Sequence, residues 1–282
     1  MARVPRRIAV IGGGKMGEAI FGGWIASTQD AAAHLVPESF SIADPGNERR
    51  AYLSEHYGVS CVEAASQVPF VPDMVVLAVK PQVMMSVLDE ICSEDRYAGG
   101  AQGPLFVSIA AGLSTERLET RLPHDARLVR VMPNTPLMVG QGASGVCGGS
   151  QCSDDDVQLV QQLFECLGRA FVVPEKSMDA IGAISGSGPA YVASMIEMVR
   201  DAGEKHGLDP AFSEVLFLQT VLGTAQLMNE RGQTAEQTRI AVCSPGGTTL
   251  AALDAMNREN IATAYQAGVD AAVARSKELA LC

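Results

Sequence analysis

The chain has 282 residues, 47% of them hydrophobic and 19% charged, as in a globular protein near the size at which one core divides into two domains. Its formal net charge of −11 argues against nucleic acid or an anionic membrane as a partner, because both bind clustered lysines and arginines. No apolar run approaches the ~18 residues that span a bilayer. The short run after the basic N-terminus also lacks the length and cleavage site of a signal peptide. We therefore expect a cytoplasmic protein.

The cysteines show no metal-binding arrangement. There are seven, at positions 61, 92, 147, 152, 166, 243 and 282. No two have C-x-x-C spacing, and no cysteine lies at zinc-site spacing from a histidine. We expect reduced thiols that pack as small apolar residues, and no structural metal.

The chain up to residue 173 alternates short apolar runs with amphipathic helical patterns. The predicted strands are 7–11, 39–43, 74–79, 105–110, 127–132 and 169–173. Helical patterns cover 17–27, 47–55, 83–93 and 115–122, and a further helix begins after Ser153, at three aspartates, and ends near Gly168. This alternation predicts βαβ units, and hence an α/β domain with a parallel sheet.

Beyond Pro174 the sequence becomes rich in Ala, Leu, Met, Gln and Glu, and no convincing strand follows. The stretches 190–206 and 211–230 carry apolar residues at helical spacing. Some of these helices are apolar on more than one side, which predicts burial against neighbours or another subunit. We place an α/β domain over residues 1–173 and an all-helical domain over 174–282.

A glycine-rich loop follows the first predicted strand. The stretch I-G-G-G-K-M-G has the G-x-G-x-x-G spacing between an apolar strand and a helical pattern. Such glycines allow a tight turn, the approach of a pyrophosphate and close packing of the helix on the strand. The stretch predicts a dinucleotide site that includes Gly12, Gly13, Gly14, Lys15, Met16 and Gly17.

The residues at the end of the second predicted strand affect the choice between NAD and NADP. Asp44 is placed to hold the adenosine ribose of NAD and to repel a 2′-phosphate. Arg49 and Arg50 follow at once, and an arginine there could pair with that phosphate. These residues leave NAD and NADP open.

Three further loops begin where predicted strands end. They contribute small or polar residues to the edge of the sheet at which ligands bind in open α/β folds. The residues predicted there to contact the cofactor are Ala78, Val79, Lys80, Pro81, Ala110, Ala111 and Asn134.

The sequence offers no clear acid–base residue. None of the four histidines lies in a motif, and no lysine of the helical domain has an asparagine four residues later. That absence counts against a hydroxyacid dehydrogenase, which would need a positioned proton donor. Reduction of a C=N bond fits better, because an iminium ion already carries the charge that makes it accept hydride.

Six motifs together resemble the pyrroline-5-carboxylate reductase family: I-G-G-G-K-M-G, L-A-V-K-P-Q, S-I-A-A-G, R-V-M-P-N-T-P, S-G-S-G-P-A-Y and V-C-S-P-G-G-T-T. The resemblance implies a Rossmann domain followed by a helical domain that forms a homodimer, with dimers often assembled into decamers. It also implies reduction of L-1-pyrroline-5-carboxylate, an imino acid, to L-proline. NADP(H) is our first expectation for the cofactor, and NAD(H) is the alternative.

The resemblance also implies the substrate site. The loop 244–249 would bind the substrate carboxylate, and the hydroxyl of Thr249, the predicted catalytic residue, would lie by the imine nitrogen. The predicted substrate-binding residues are Glu175, Ser244, Gly246, Gly247, Thr248 and Thr249. Glycines at the start of a helix expose N–H groups that attract an anion without any arginine.

Some features depart from the family or leave other readings open. Ala241 and Ala65 stand where some relatives have a ligand-contacting Asn, and Cys243 is interpreted as inert packing. One alternative is a dinucleotide-binding redox sensor without catalytic activity, which would not need the loop 244–249. Another is a Rossmann reductase of the hydroxyacid type.

Overall fold

An eight-stranded sheet organises the first part of the chain in a computed structural model, which describes residues 4–29, 31–100 and 102–279. The strands are β1 (Ile8–Ile11), β2 (Phe40–Ala43), β3 (Ser60–Val62), β4 (Met74–Leu77), β5 (Leu105–Ser108), β6 (Arg127–Met132), β7 (Gly142–Gly148) and β8 (Gly168–Val172). Their order across the sheet is β3-β2-β1-β4-β5-β6-β7-β8. Every neighbouring pair is parallel except β6 and β7.

The six predicted strands are present, with ends that shift by at most two residues. The prediction omitted β3 and β7, and it did not foresee the antiparallel pair. Residues 133–141 join β6 to β7, and this connection is too short for the helical crossover that parallel strands need. The chain therefore turns back and β7 runs against β6.

The centre of the sheet is buried on both faces, as continuous apolar runs such as I-A-V-I predict. The edge strand β8 instead leaves Phe171 and Val172 about half exposed. Alternate side chains of β1, β2, β4, β5 and β6 enter two separate cores. Ile8 and Val10 pack on one face with Trp24, whose Nε1 donates to the Leu163 carbonyl at 2.8 Å. Ala9 and Ile11 face the other core. The two layers of helices hold the carboxyl ends of the strands in a fixed register.

The helices fall close to their predicted positions. They are α1 (Lys15–Ala26), α2 (Asn47–Tyr57), α3 (Pro81–Cys92), α4 (Thr115–Glu119), α5 (Asp154–Glu165), α6 (Met178–Ile181), α7 (Gly188–Lys205), α8 (Pro210–Arg231), α9 (Ala235–Ala241), α10 (Thr248–Arg258) and α11 (Ile261–Leu279). The prediction gave no separate range for α6, α9 or α11. Helix α5 starts as expected, since the Ser153 hydroxyl accepts from the Asp156 N–H. It ends at Glu165, three residues before Gly168.

The chain forms two compact units. The first unit consists of the chain up to Ser187 together with the segment that starts at Ala272. The second unit is Gly188–Ala271. The predicted boundary at residue 173 stays a prediction. Within the described residues 174–279 all regular structure is helical, as expected.

The second unit exposes much of its apolar surface in the single chain. Helices α7, α10 and α11 have no buried residue, and Ser213 is the buried residue of α8. Leu218 and Leu222 are 53% and 57% exposed. By length and composition alone, α8 is apolar enough to cross a membrane. The search for uninterrupted apolar runs in the sequence did not detect this helix, because Gln219, Thr220 and other polar residues interrupt the apolar run of α8.

Candidate functional site

The turn after β1 requires glycine at two positions. Gly12 has a φ of +107°, and its N–H donates to the Ala43 carbonyl at 2.8 Å. A Cβ at Gly12 would lie 2.6 Å from the carbonyl oxygen of Ala78, and a Cβ at Gly17 would overlap the carbonyl oxygen of Gly12. These contacts let α1 start directly above the junction of β1, β2 and β4.

Gly14 has a different environment. It occupies the N-cap position of α1 with no side-chain cap, and a Cβ there would meet no atom within 4 Å. Lys15 beside it is exposed and Met16 is half-buried. The first N–H groups of α1 therefore face open space at the positive end of the helix dipole, an arrangement that fits a pyrophosphate.

Asp44 supports this loop at the end of β2. Its Oδ2 accepts from the Gly13 N–H and its Oδ1 from the Gly46 N–H, both at 2.9 Å. The Arg50 side chain donates to the Asp44 carbonyl at 2.8 Å. The carboxylate thus fixes the glycine loop from the position at which a ribose hydroxyl would approach in this type of fold.

Arg49 lies between the glycine loop and α1. Its Nε donates to the Gly13 carbonyl at 2.5 Å, and its Nη2 pairs with a carboxylate oxygen of Glu18. Burial by itself would raise the pKa of Glu18, but hydrogen bonds from Arg49 and Tyr57, with the charge of Arg49, hold that pKa below its ordinary value. Glu18 is therefore ionised at neutral pH.

The loops after β4 and β5 continue the same edge of the sheet. The Ala78 N–H extends the ladder to the Ile11 carbonyl at 2.8 Å. Lys80 is exposed at the N-cap position of α3, and Pro81 begins that helix. Ala110 is buried and Ala111 exposed. The structure thus brings the predicted cofactor-binding residues that follow β1, β2, β4 and β5, Val79 among them, to one edge of the sheet.

Asn134, after β6, uses its side chain inside the protein. Its Nδ2 donates to the Ser185 carbonyl at 3.1 Å, its Oδ1 accepts from the Ala143 N–H at 2.9 Å, and the residue is 8% exposed. The amide ties the loop after β6 to the π-helical turn Gly182–Gly186. Its role in cofactor binding stays a prediction.

Glu175 takes part in a cluster that the sequence did not indicate. Its Oε1 accepts from Arg130 Nη1 at 2.5 Å, and its Oε2 accepts from the Cys147 thiol at 2.7 Å. Burial, together with the hydrogen bond to Glu175, raises the pKa of Cys147. Both carboxylate oxygens are therefore engaged within the first unit, and a role for Glu175 in substrate binding stays a prediction.

The loop 244–249 lies in the second unit between α9 and α10. Gly246 has a φ of +72°, and the Gly247 N–H closes a turn onto the Ser244 carbonyl at 3.0 Å. Gly247 is the N-cap of α10 and supplies no side-chain cap, so the N–H groups of Thr248 and Thr249 lack a capping side chain. A Cβ at Gly247 would lie 2.5 Å from the Ser244 Oγ. The turn thus leaves the N-terminus of an eleven-residue helix open to an anion.

Two charged residues at these sites, Glu18 and Arg130, were missed at the sequence level. Glu18 follows the glycine motif directly, but its partner Arg49 is 31 residues away. Arg130 lies in a predicted buried strand, and a charged residue in such a strand signals a buried ion pair. That signal was present in R-V-M-P-N-T-P, although it does not identify Glu175 as the partner.

Two family models match the chain. A model described as pyrroline-5-carboxylate reductase dimerisation matches residues 175–279. A model described as NADP oxidoreductase, coenzyme F420-dependent, matches residues 7–112. The first match includes the loop 244–249, and the second includes the glycine loop.

Full-length relatives agree with these matches. The chain is 39% identical to a pyrroline-5-carboxylate reductase of Synechocystis, over 97% of this chain and 98% of that protein. It is similar to the solved structure of a pyrroline-5-carboxylate reductase from Coxiella burnetii, with 33% identity, a TM-score of 0.87 and coverage of 98% and 99%. A Plasmodium falciparum pyrroline carboxylate reductase solved with NADP bound is 29% identical, with a TM-score of 0.83 and coverage of 99% of both chains.

Proposed function

The chain belongs to the pyrroline-5-carboxylate reductase family, and on this premise we propose that it reduces the C=N bond of L-1-pyrroline-5-carboxylate to give L-proline, the last step of proline biosynthesis. The observation that carries this proposal is the loop 244–249. Its open helix N-terminus, its two glycines and its two threonines match an anionic substrate that is small enough to contact backbone N–H groups.

The proposed reaction requires the protein mainly to position the substrate against the cofactor. A reduced nicotinamide supplies the hydride that adds to the carbon of the C=N bond, while the nitrogen carries the proton. The N–H groups at the start of α10 hold the substrate carboxylate, and Thr249, half-buried in its first turn, places its hydroxyl by the imine nitrogen. A hydrogen bond there would orient the ring for attack on one face.

The glycine loop and the residues around Asp44 fit a nicotinamide dinucleotide, because Gly14 leaves the N-terminus of α1 open. We further propose that NADP(H) is preferred and that NAD(H) is also used. Arg49 and Arg50 lie beside the predicted ribose position and carry the charge that a 2′-phosphate needs. Asp44 at the same strand end suits the unphosphorylated ribose.

The exposed apolar helices of the second unit support a homodimer. An apolar groove of about 680 Å³ lies within this unit, lined by residues of α7, α8, α10 and α11 such as Met198, Phe217 and Tyr265. We propose that a second copy covers these helices, that dimers assemble further into decamers, and that the enzyme acts in the cytoplasm.

Two other functions have less support. A redox sensor without catalytic activity would need the glycine loop but not the anion-binding loop 244–249. A hydroxyacid reductase would need a proton donor, and the residues from 244 to 249 offer hydroxyl groups alone.

Kinetics of three variants test the proposal. Thr249→Ala should lower kcat by about 10- to 100-fold, which corresponds to the ~1.5–3 kcal/mol of a hydrogen bond to a charged group, and leave the Kd of NADPH unchanged. Thr249→Ser should recover most of the rate. Gly247→Val should raise the KM for pyrroline-5-carboxylate without changing NADPH binding, since the added side chain fills the turn at Ser244. An unchanged rate in Thr249→Ala, or an unchanged KM in Gly247→Val, would remove this loop from the active site.

A further inference from the structure

Glu18 and the glycine loop hold the guanidinium of Arg49 from two sides. Nε donates to the Gly13 carbonyl at 2.5 Å and Nη2 pairs with Glu18. Cζ lies 5.1 Å from the centre of the Tyr52 ring. Arg49 is thus fixed beside the loop, and its Nη1 has no hydrogen-bond partner among the described residues.

The carboxylate of Glu18 is itself held in place. The Tyr57 hydroxyl donates to its Oε1 at 3.0 Å, while its Oε2 takes the arginine. The side chain of Glu18 is 15% exposed and that of Arg49 is 28% exposed. This pair is more shielded than an ordinary surface ion pair, so its charges are less weakened by solvent.

Glu18 therefore neutralises one of the two arginines that lie beside the predicted ribose position. A 2′-phosphate would have to share Arg49 with Glu18, which is already bound to it, and the negative charge of Glu18 would also repel the phosphate. The unphosphorylated ribose of NAD(H) brings no charge to this position, so it neither competes for Arg49 nor is repelled by Glu18.

We propose that Glu18 is a positioning residue that restrains the preference for NADP(H) over NAD(H) by competing with the 2′-phosphate for Arg49. This inference rests on the proposed function, because it assumes that the glycine loop binds a dinucleotide. It assigns to the residue directly after the glycine motif a role in discriminating between the two cofactors. Removal of the Glu18 charge strengthens binding of the phosphorylated cofactor alone.

Titration calorimetry of the full chain with NADP+ and with NAD+ at one fixed ionic strength tests the proposal. Glu18→Gln keeps the size of the side chain and an oxygen that accepts from Tyr57, but removes the charge. It should lower the Kd of NADP+ by about threefold, a change typical of one partly shielded charge pair, and leave the Kd of NAD+ unchanged. Glu48→Gln is the matched control, since it removes an exposed negative charge from the residue next to Arg49.

A double-variant cycle shows whether Glu18 acts through Arg49. Arg49→Gln should raise the Kd of NADP+ more than that of NAD+, because it removes the charge near the 2′-phosphate as well as the donor to the Gly13 carbonyl. In this background Glu18→Gln should have no further effect on the ratio of the two Kd values. The proposal is overturned if Glu18→Gln weakens NADP+ binding, shifts both cofactors equally, changes neither, or matches Glu48→Gln. A wild-type chain that binds neither dinucleotide would instead contradict the proposed function itself. Thermal unfolding of each variant distinguishes a loss of fold from a change in affinity.

Discussion

Arg130 and Glu175 form an ion pair in which Nη1 of the arginine lies 2.5 Å from Oε1 of the glutamate. The arginine side chain is 4% exposed and the glutamate 33%. The pair joins strand β6 to the short segment that precedes α6. Removing the carboxylate would leave a buried guanidinium without its partner, and this is the costly way to break a buried pair.

Glu175→Gln should therefore destabilise the protein. A loss of about 2 kcal/mol in the free energy of unfolding is expected, below the ~3–5 kcal/mol of a fully buried pair, because part of Glu175 is in contact with solvent. Asp89→Asn, which breaks the exposed pair with Arg121, is the control and should cost less than about 1 kcal/mol. Denaturant unfolding measures both. Equal losses in the two variants would show that the Arg130 pair is no stronger than a surface contact.

Gly12 and Gly14 of the dinucleotide loop should respond differently to substitution. Gly12→Ala should lower the melting temperature, because its φ is +107° and the new Cβ would meet the Ala78 carbonyl. Gly14→Ser should leave the melting temperature unchanged, since serine is a good N-cap and nothing lies within 4 Å of its Cβ.

Gly14→Ser should nevertheless weaken NADPH binding by about tenfold or more, because the side chain occupies the approach to the α1 N–H groups. Fluorescence titration with NADPH measures this. Normal affinity in a stably folded Gly14→Ser variant would place the cofactor elsewhere.

The Cys152 thiol makes the free energy of unfolding depend on pH in the alkaline range. Burial, reinforced by the charge of Asp156, raises the pKa of Cys152 from 9.0 to about 11. The folded state thus holds this proton more tightly than the unfolded state. The contribution to stability is complete below pH 9 and is lost as the pH rises from 9 through 11.

Urea unfolding between pH 8 and pH 11, compared for wild type and Cys152→Ala, isolates this group. The free energy of unfolding of wild type should fall more steeply above pH 9 than that of the variant. The comparison is needed because Tyr57, whose pKa burial and Glu18 raise to about 12, also titrates at high pH. Parallel curves would contradict the assignment to Cys152.

The exposed face of α8 should control the oligomeric state. Leu222 is 57% exposed in the single chain, and a glutamate there would place a charge in the proposed subunit interface. Leu222→Glu should shift the protein to monomer in analytical ultracentrifugation and lower its melting temperature, whereas Leu222→Met should keep the wild-type mass. A dimer of normal stability in Leu222→Glu would exclude this face from the interface.

The sequence predicted most of the fold because the apolar runs and glycine motifs report local requirements. Strand β7 was missed for a non-local reason. Its glycines Gly142, Gly145 and Gly148 weaken any strand pattern, yet a Cβ at Gly142 would lie 2.8 Å from the Leu137 Cβ and one at Gly145 3.0 Å from Ile181. Glycine is needed at these positions because the neighbours of the strand pack too closely for larger residues, and the strand itself is paired with β6 and β8.

Helix α9 was missed although a readable signal was present. Thr234 and Gln237 form a capping box, the T-x-x-Q pattern that marks a helix start. The partners of Arg49 and of Arg130 could not be predicted in this way. Sequence patterns place each residue on an element, but the contacts of Arg49 with Glu18 and of Arg130 with Glu175 depend on how distant elements pack.

The most direct test of the central claim is the oxidation of NADPH by the purified protein in the presence of L-1-pyrroline-5-carboxylate, with the product identified by chromatography. The account predicts turnover that yields L-proline in a one-to-one ratio with NADP+, and slower turnover with NADH. Binding of NADPH without any consumption of the imino acid would contradict it, and would favour a sensor that binds the cofactor without catalysis.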